Sequence, residues 1–177
     1  MSVTDEDALL RAAQKGDAAA FETLLERHYD TMYRFAYKWC GSPADAQDIT
    51  QQACMKLASS LPQFRFESAF TSWLYRLVVN CARDWARSQA RHTSTIDTPA
   101  DDQSTDGGAV EQQAFFWELL QQLDALPVGI KETLLLVHAE GLSHAETAAV
   151  LGVKESTVSW RLHEFRKQHR LALEEDS

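Results

Sequence analysis

Helix-period apolar spacing runs through nearly all of this 177-residue chain, and no stretch reads as a sheet. Ala8, Leu9, Ala12 and Ala13 share one helix face that ends at Gly16. Asp17 is placed to cap a second helix carrying Phe21, Leu24, Leu25, His28, Met32, Phe35 and Trp39 along one broad face. Gly41-Ser42-Pro43 breaks it. Asp45 to Ser60 reads as a third helix with Ile49, Ala53 and Leu57 on one side, Leu61-Pro62 opens an irregular aromatic segment, and Phe70 to Arg91 is helical again. From His92 to about residue 109 the chain turns polar and acidic, and such a segment cannot bury enough apolar surface to offset its ordering entropy. Helix spacing resumes in Phe115, Phe116, Leu119, Leu120, Leu123 and Leu126. The expected architecture is all-α: one small helical domain over residues 1–91, a flexible linker over 92–109, and a second small helical domain over 110–177.

The second block carries the sharpest motif, running from Gly141 to Leu162. Ser143 is a good N-cap, with Glu146 at the capping-box position. Ala148 is small where two helices must cross closely. Leu151-Gly152-Val153 is a tight turn in which glycine can take positive φ between apolar anchors. A second helix opens at Glu155 or Ser156, with Val158, Leu162 and Phe165 as its buried positions. That pattern is a helix-turn-helix. It leaves Lys154, Ser156, Thr157, Ser159, Trp160, Arg161 and Arg166 nearer the outer face, where hydroxyls and cations can read a major groove and clamp phosphates. The formal net charge of −9 argues against a nucleic-acid partner only on average, since Lys and Arg outnumber Glu between Lys154 and Arg170.

The first block contains Asp45-Ala46-Gln47-Asp48-Ile49-Thr50-Gln51-Gln52, then Phe64-Arg65-Phe66-Glu67-Ser68-Ala69-Phe70, then Trp73-Leu74 followed by Asn80 and Asp84. In this order the segments resemble the second region of extracytoplasmic-function (ECF) sigma factors of bacterial RNA polymerase. The block from Ala125 to Leu171 resembles the family's fourth region. The resemblance implies a sigma region 2 helical bundle joined to a sigma region 4 helix-turn-helix. It implies a promoter-reading protein, with no catalytic residue and no cofactor. It further implies that Asp45, Gln47, Asp48, Gln51 and Gln52 meet the clamp of the polymerase's largest subunit. Phe64, Arg65, Phe66, Glu67 and Ser68 would form the loop that captures unstacked minus-ten bases, with Asn80, Arg83, Asp84 and Arg87 on the following helix. Local chemistry agrees, because a flipped base needs aromatic or apolar walls and a few hydrogen-bonding groups. Trp73, Leu77 and Trp85 are expected in the core. The residues from Lys154 to Arg166 would read the minus-thirty-five element.

One departure stands out. Gln47 and Gln52 occupy positions where the family usually carries Glu, which removes charge-assisted hydrogen bonds to an Arg-rich clamp. A phosphate on Thr50 would add about −1.5 to −2 charges in the same helix. A Ser/Thr kinase acting there, or an anti-sigma partner, are the two forms of control the sequence suggests.

The remaining features narrow the class. The acidic, polar start of the chain is unlike a signal peptide, and no apolar run reaches the length of a membrane span, so a cytoplasmic location is expected. Cys40, Cys54 and Cys81 are widely spaced and read as core thiols. Together with His28, His92, His138, His144, His163 and His169 they form no metal-ligand spacing, which weighs against a helical metal protein or enzyme. The main alternative is a helix-turn-helix regulator that binds duplex DNA without polymerase and uses its first block to sense a ligand or dimerise.

Overall fold

The computed structural model describes the backbone of residues 3–93 and 129–175, and the side chains of 5–91 and 129–167. Among the described residues every regular element is a helix. Helix α1 (Val3–Gln14) and α2 (Ala18–Cys40) are separated by a turn in which Asp17 caps α2, its carboxylate accepting from the Ala20 N–H at 3.1 Å. At the far end Gly41 takes φ 73, the left-handed cap glycine adopts without strain, and its N–H returns to Tyr37 O. Ser42 then caps α3 (Pro43–Ser60) with Pro43 in its first turn, so the helix begins two residues before the expected Asp45. A single 3₁₀ turn, Leu61–Gln63, leads into an irregular segment and then α4 (Phe70–Thr93), which stays helical past the expected boundary at Arg91. The rest of the expected linker, and Phe115 to Leu126, lie outside the described residues.

The described part of the second block starts at Gly129 (φ 91), followed by α5 (Ile130–Leu134) and a π-helical turn over Leu135–Ala139. Then come α6 (His144–Leu151) and α7 (Glu155–Glu175). The Ser143–Glu146 capping box is fully formed, with the side chain of each residue bonded to the backbone N–H of the other. Gly152 takes φ 67 at the turn, as its position between Leu151 and Val153 requires.

Two apolar clusters hold these elements. The smaller lies inside the second block and joins Ile130, Leu134, Ala148, Val158 and Leu162, with Phe165 half-buried at its edge. The larger is built by α1–α4 around Leu24, Met32, Phe35, Ile49, Leu57 and Val78. Leu135, Leu136, Val150 and Leu151 of the second block complete it. The helix-turn-helix is therefore packed against the first block. Polar contacts reinforce the junction: Lys38 Nζ and the Tyr75 hydroxyl both reach Glu140, at 2.7 and 2.6 Å, and Arg76 donates to Ala149 O. Burial, aided by the Glu140 carboxylate, raises the Tyr75 hydroxyl pKa well above its ordinary value.

Candidate nucleic-acid interface

At the start of α7, Lys154, Ser156, Ser159, Trp160 and Arg166 are exposed and Thr157 is half-buried, while Val158 and Leu162 point into the core. Trp160 is 58% exposed, a large apolar surface beside the hydroxyls of Ser156 and Ser159. Ser159 Oγ lies 3.2 Å from His144 Nδ1 of α6. Arg161 is placed differently from the sequence expectation. Its guanidinium donates to Gly129 O and to Thr133 Oγ1, each at 3.3 Å, so it ties α7 to α5 inside the block instead of facing a groove. Gly129 itself takes φ 91, a left-handed conformation that favours glycine, and it lies close against that guanidinium.

The irregular segment between the 3₁₀ turn and α4 sits over a bed of aromatic rings. Phe64 packs on Phe70 (5.5 Å between centroids) and Trp73 (5.3 Å), and His28 meets the edge of Phe70 at 5.0 Å. Phe64 is only 6% exposed, so it belongs to this bed and, contrary to expectation, does not wall a base pocket in this conformation. Arg65, Glu67, Ser68 and Ala69 are exposed above it, and Phe66 is half-buried. A polar, accessible loop on an aromatic floor can hydrogen-bond a base pulled from its stack.

On α4, Asn80, Asp84, Arg87 and Arg91 are exposed, and the last three line an open depression. Asp84 is held between Lys56 Nζ of α3 (2.8 Å) and the Arg87 guanidinium. The hydrogen bond from Lys56 is the main reason its carboxyl pKa lies below the ordinary value. Arg83 faces the other way and donates to Glu132 of α5 at 3.1 Å. In this arrangement Arg83 is turned toward the second block and not toward an open nucleic-acid surface.

Helix α3 exposes Gln47, Asp48, Gln51 and Met55 at helix spacing, with Asp45 and Gln52 half-buried beside them. Met55 is 66% exposed, an apolar contribution to this face that residue type alone had not marked. Thr50 lies on the opposite side. It is 0% exposed, and its hydroxyl donates to Ala46 O at 2.6 Å in the packing between helices. The expectation of a kinase site at Thr50 is corrected on that ground: the hydroxyl is neither accessible nor unbonded, and a phosphate has no room there.

Comparison with known proteins matches these units in the same order. Residues 24–92 match the model of sigma-70 region 2, and residues 116–168 that of sigma-70 region 4. The ECF RNA polymerase sigma-E factor of Escherichia coli is 30% identical over an alignment of 177 positions that covers 93% of this chain and 92% of that protein. This chain belongs to the ECF sigma factors. The ECF sigma factor SigE of Mycolicibacterium smegmatis is 32% identical over 88% of this chain, and the match spans 63% of that longer relative. Among solved structures, CnrH in complex with the cytosolic domain of CnrY superposes with a TM-score of 0.71 at 25% identity, covering 96% of this chain and 97% of that one. The sigma factor RpoE of Bartonella quintana, solved with the anti-sigma factor NepR, has the same fold (TM-score 0.67, 21% identity, 89% and 98% covered).

As an ECF sigma factor the chain acts in promoter recognition and transcription initiation with RNA polymerase, and it is not an enzyme. No described helix is long and apolar enough to cross a membrane. Sequence reasoning anticipated the helix-turn-helix, which is formed. It missed Arg11 and Gln14 of α1, which contact the loop, and Glu132 and Glu140, which join the blocks. Nothing local marks these residues, because their partners lie far away in the chain.

Proposed function

We propose that this sigma factor divides promoter opening among three surfaces. The α3 face with Asp45, Gln47, Asp48, Gln51 and Gln52 takes the clamp of the largest subunit of core polymerase. Arg65, Phe66, Glu67 and Ser68, with Asn80, Asp84 and Arg87, take the unstacked bases and phosphates of the minus-ten element. Lys154, Ser156, Thr157, Ser159, Trp160 and Arg166 take the minus-thirty-five duplex. Residues 1–91 and 110–177 are the two domains, with 92–109 as the tether that lets them reach both elements. Arg83 joins the minus-ten surface once its pairing with Glu132 is released.

The observation that carries this reading is the exposed polar loop over its aromatic floor, in the same chain as a formed helix-turn-helix. A regulator of duplex DNA alone has no use for such a loop. Control by a protein partner fits better than control by phosphorylation, because Thr50 is buried and because the CnrH structure is that of a complex with a second protein. A cytoplasmic site of action follows from the polymerase partner.

Permanganate footprinting of a duplex promoter tests the reading. Core polymerase with this chain is expected to expose reactive thymines around the minus-ten element, where core alone leaves none. Protection of the minus-thirty-five region without reactive thymines would favour a duplex-binding regulator.

A further inference from the structure

Phe66 is the only described non-glycine residue with positive φ, at 58°. An aromatic side chain disfavours this left-handed conformation, and it persists only where surrounding contacts fix it. Helix α1 supplies several of those contacts. The Arg11 guanidinium of α1 sits 4.2 Å from the centroid of the Phe66 ring. One turn along the same helix, Gln14 Nε2 donates to Leu61 O at 3.0 Å and to Phe64 O at 2.7 Å. Phe66 also leans on Phe64, with ring centroids 4.8 Å apart. Within the segment itself the backbone supplies little: Phe64 N–H returns to Leu61 O, and the next such bond is Trp73 N–H to Ala69 O at the start of α4.

We propose that α1 positions the base-capture loop, with Arg11 and Gln14 holding it in the left-handed turn at Phe66 that presents Arg65, Glu67 and Ser68 to a flipped base. The inference rests on the loop's proposed role at the minus-ten element. Gln14 fixes the backbone just before Arg65, and Arg11 fixes the ring just after it. The exposed residues are thus suspended between two anchors on one rigid helix. Such an arrangement settles the conformational entropy of the loop before a base arrives, which is how preorganisation raises affinity without a new contact. The planar guanidinium matters, because it stacks on an aromatic face in a way an ammonium does not reproduce. Arg11 and Gln14 are positioning residues here, acting through the loop and not on the DNA.

The test uses the full chain assembled with core polymerase. Affinity is measured for a single-stranded oligonucleotide carrying the non-template minus-ten sequence and for a minus-thirty-five duplex, alongside core binding. The double variant Arg11→Ala/Gln14→Ala is expected to weaken oligonucleotide binding about tenfold, the product of one ring contact and a pair of hydrogen bonds. Core binding and duplex binding should stay within about twofold, and Arg11→Lys should recover only part of the loss. A uniform fall across all three affinities, or a matching collapse of thermal stability, would mean that α1 serves the fold alone and would overturn the proposal. A loop variant, Arg65→Ala/Ser68→Ala, separates the remaining outcomes. If it weakens oligonucleotide binding while the α1 variant does not, the positioning role is wrong and the loop's role stands. If neither has an effect, the minus-ten role of the loop fails, and the positioning role with it.

Discussion

Arg83 Nε and Glu132 Oε1 meet at 3.1 Å, pairing α4 of the first block with α5 of the second across 49 residues of sequence. The Glu132 residue is only 5% exposed. A cation of the expected minus-ten surface therefore neutralises a carboxylate that has almost no access to water. Removing the arginine leaves that carboxylate unpaired in the junction between blocks, which is the expensive way to break an ion pair. Arg83→Ala is expected to lower unfolding free energy by about 1–3 kcal/mol, a range reduced because the arginine itself is partly solvated. Glu132→Gln, which keeps an acceptor, should lose less. Urea denaturation checks both, and equal losses would contradict the buried-charge explanation.

Glu140 is the second tie, accepting from Lys38 and Tyr75. In the Glu140→Ala protein the blocks should separate more readily, because both donors belong to the first block. Small-angle scattering of the free chain should register a larger radius of gyration than for the unaltered protein. An unchanged radius would mean that the shared apolar cluster of Leu135, Leu136, Val150 and Leu151 suffices to hold the junction.

Thr50 gives a prediction opposite to that of a phosphate switch. Its hydroxyl is satisfied by Ala46 O within the helix packing. Thr50→Glu should destabilise the protein by more than about 2 kcal/mol, since a buried carboxylate there has neither water nor a cation. Thr50→Val loses the hydroxyl's bond but leaves Ala46 O its helical partner, and should remain within about 1.5 kcal/mol of the parent. Thermal unfolding distinguishes them. A Thr50→Glu protein as stable as the parent and more active with core polymerase would restore the switch.

Two cations near the start of α7, Lys154 just before it and Arg161 within it, should behave differently. Lys154 is exposed, and Lys154→Ala should weaken minus-thirty-five duplex binding while reducing the salt slope by about 1, as loss of a phosphate contact does. Arg161 is bonded to Gly129 O and Thr133 Oγ1. Arg161→Ala should leave the salt slope unchanged and lower the melting temperature instead. Binding titrations across a salt series, paired with melting curves, make the comparison.

Gln47 is exposed on the α3 face and free of packing constraints from the core. Gln47→Glu should tighten core polymerase binding by about threefold to tenfold if the clamp offers arginines, and the gain should shrink at high salt. An equal affinity at low salt would remove the charge argument for this face.

Local chemistry explains what was legible in the sequence. Asp17, Gly41, Ser143, Glu146 and Gly152 each act on the backbone within a few residues, so their roles can be read from spacing alone. The core faces of α2 and α3 followed from periodicity for the same reason. Arg161 shows where that reasoning stops, because an arginine beside hydroxyls on a recognition helix has the composition of a DNA contact. Its partners at Gly129 and Thr133 appear only after the helices cross. Thr50 misled in a related way: its neighbours Asp48, Gln51 and Gln52 are half-buried or exposed, but one step around the helix turns its own side chain into the core. Phe64 was indistinguishable from Phe66 in sequence, and only the packing of α1 and α4 separates floor from loop.

Run-off transcription from a linear duplex promoter, with core polymerase and a variant whose loop residues 65–68 are replaced by Gly and Ser, tests most directly whether one chain both reads duplex DNA and captures an opened base. The unaltered chain should yield a specific transcript. The loop variant should still bind core polymerase and the minus-thirty-five duplex, yet give little or no transcript. A loop variant that transcribes as well as the parent would contradict the base-capture role assigned to Arg65, Phe66, Glu67 and Ser68.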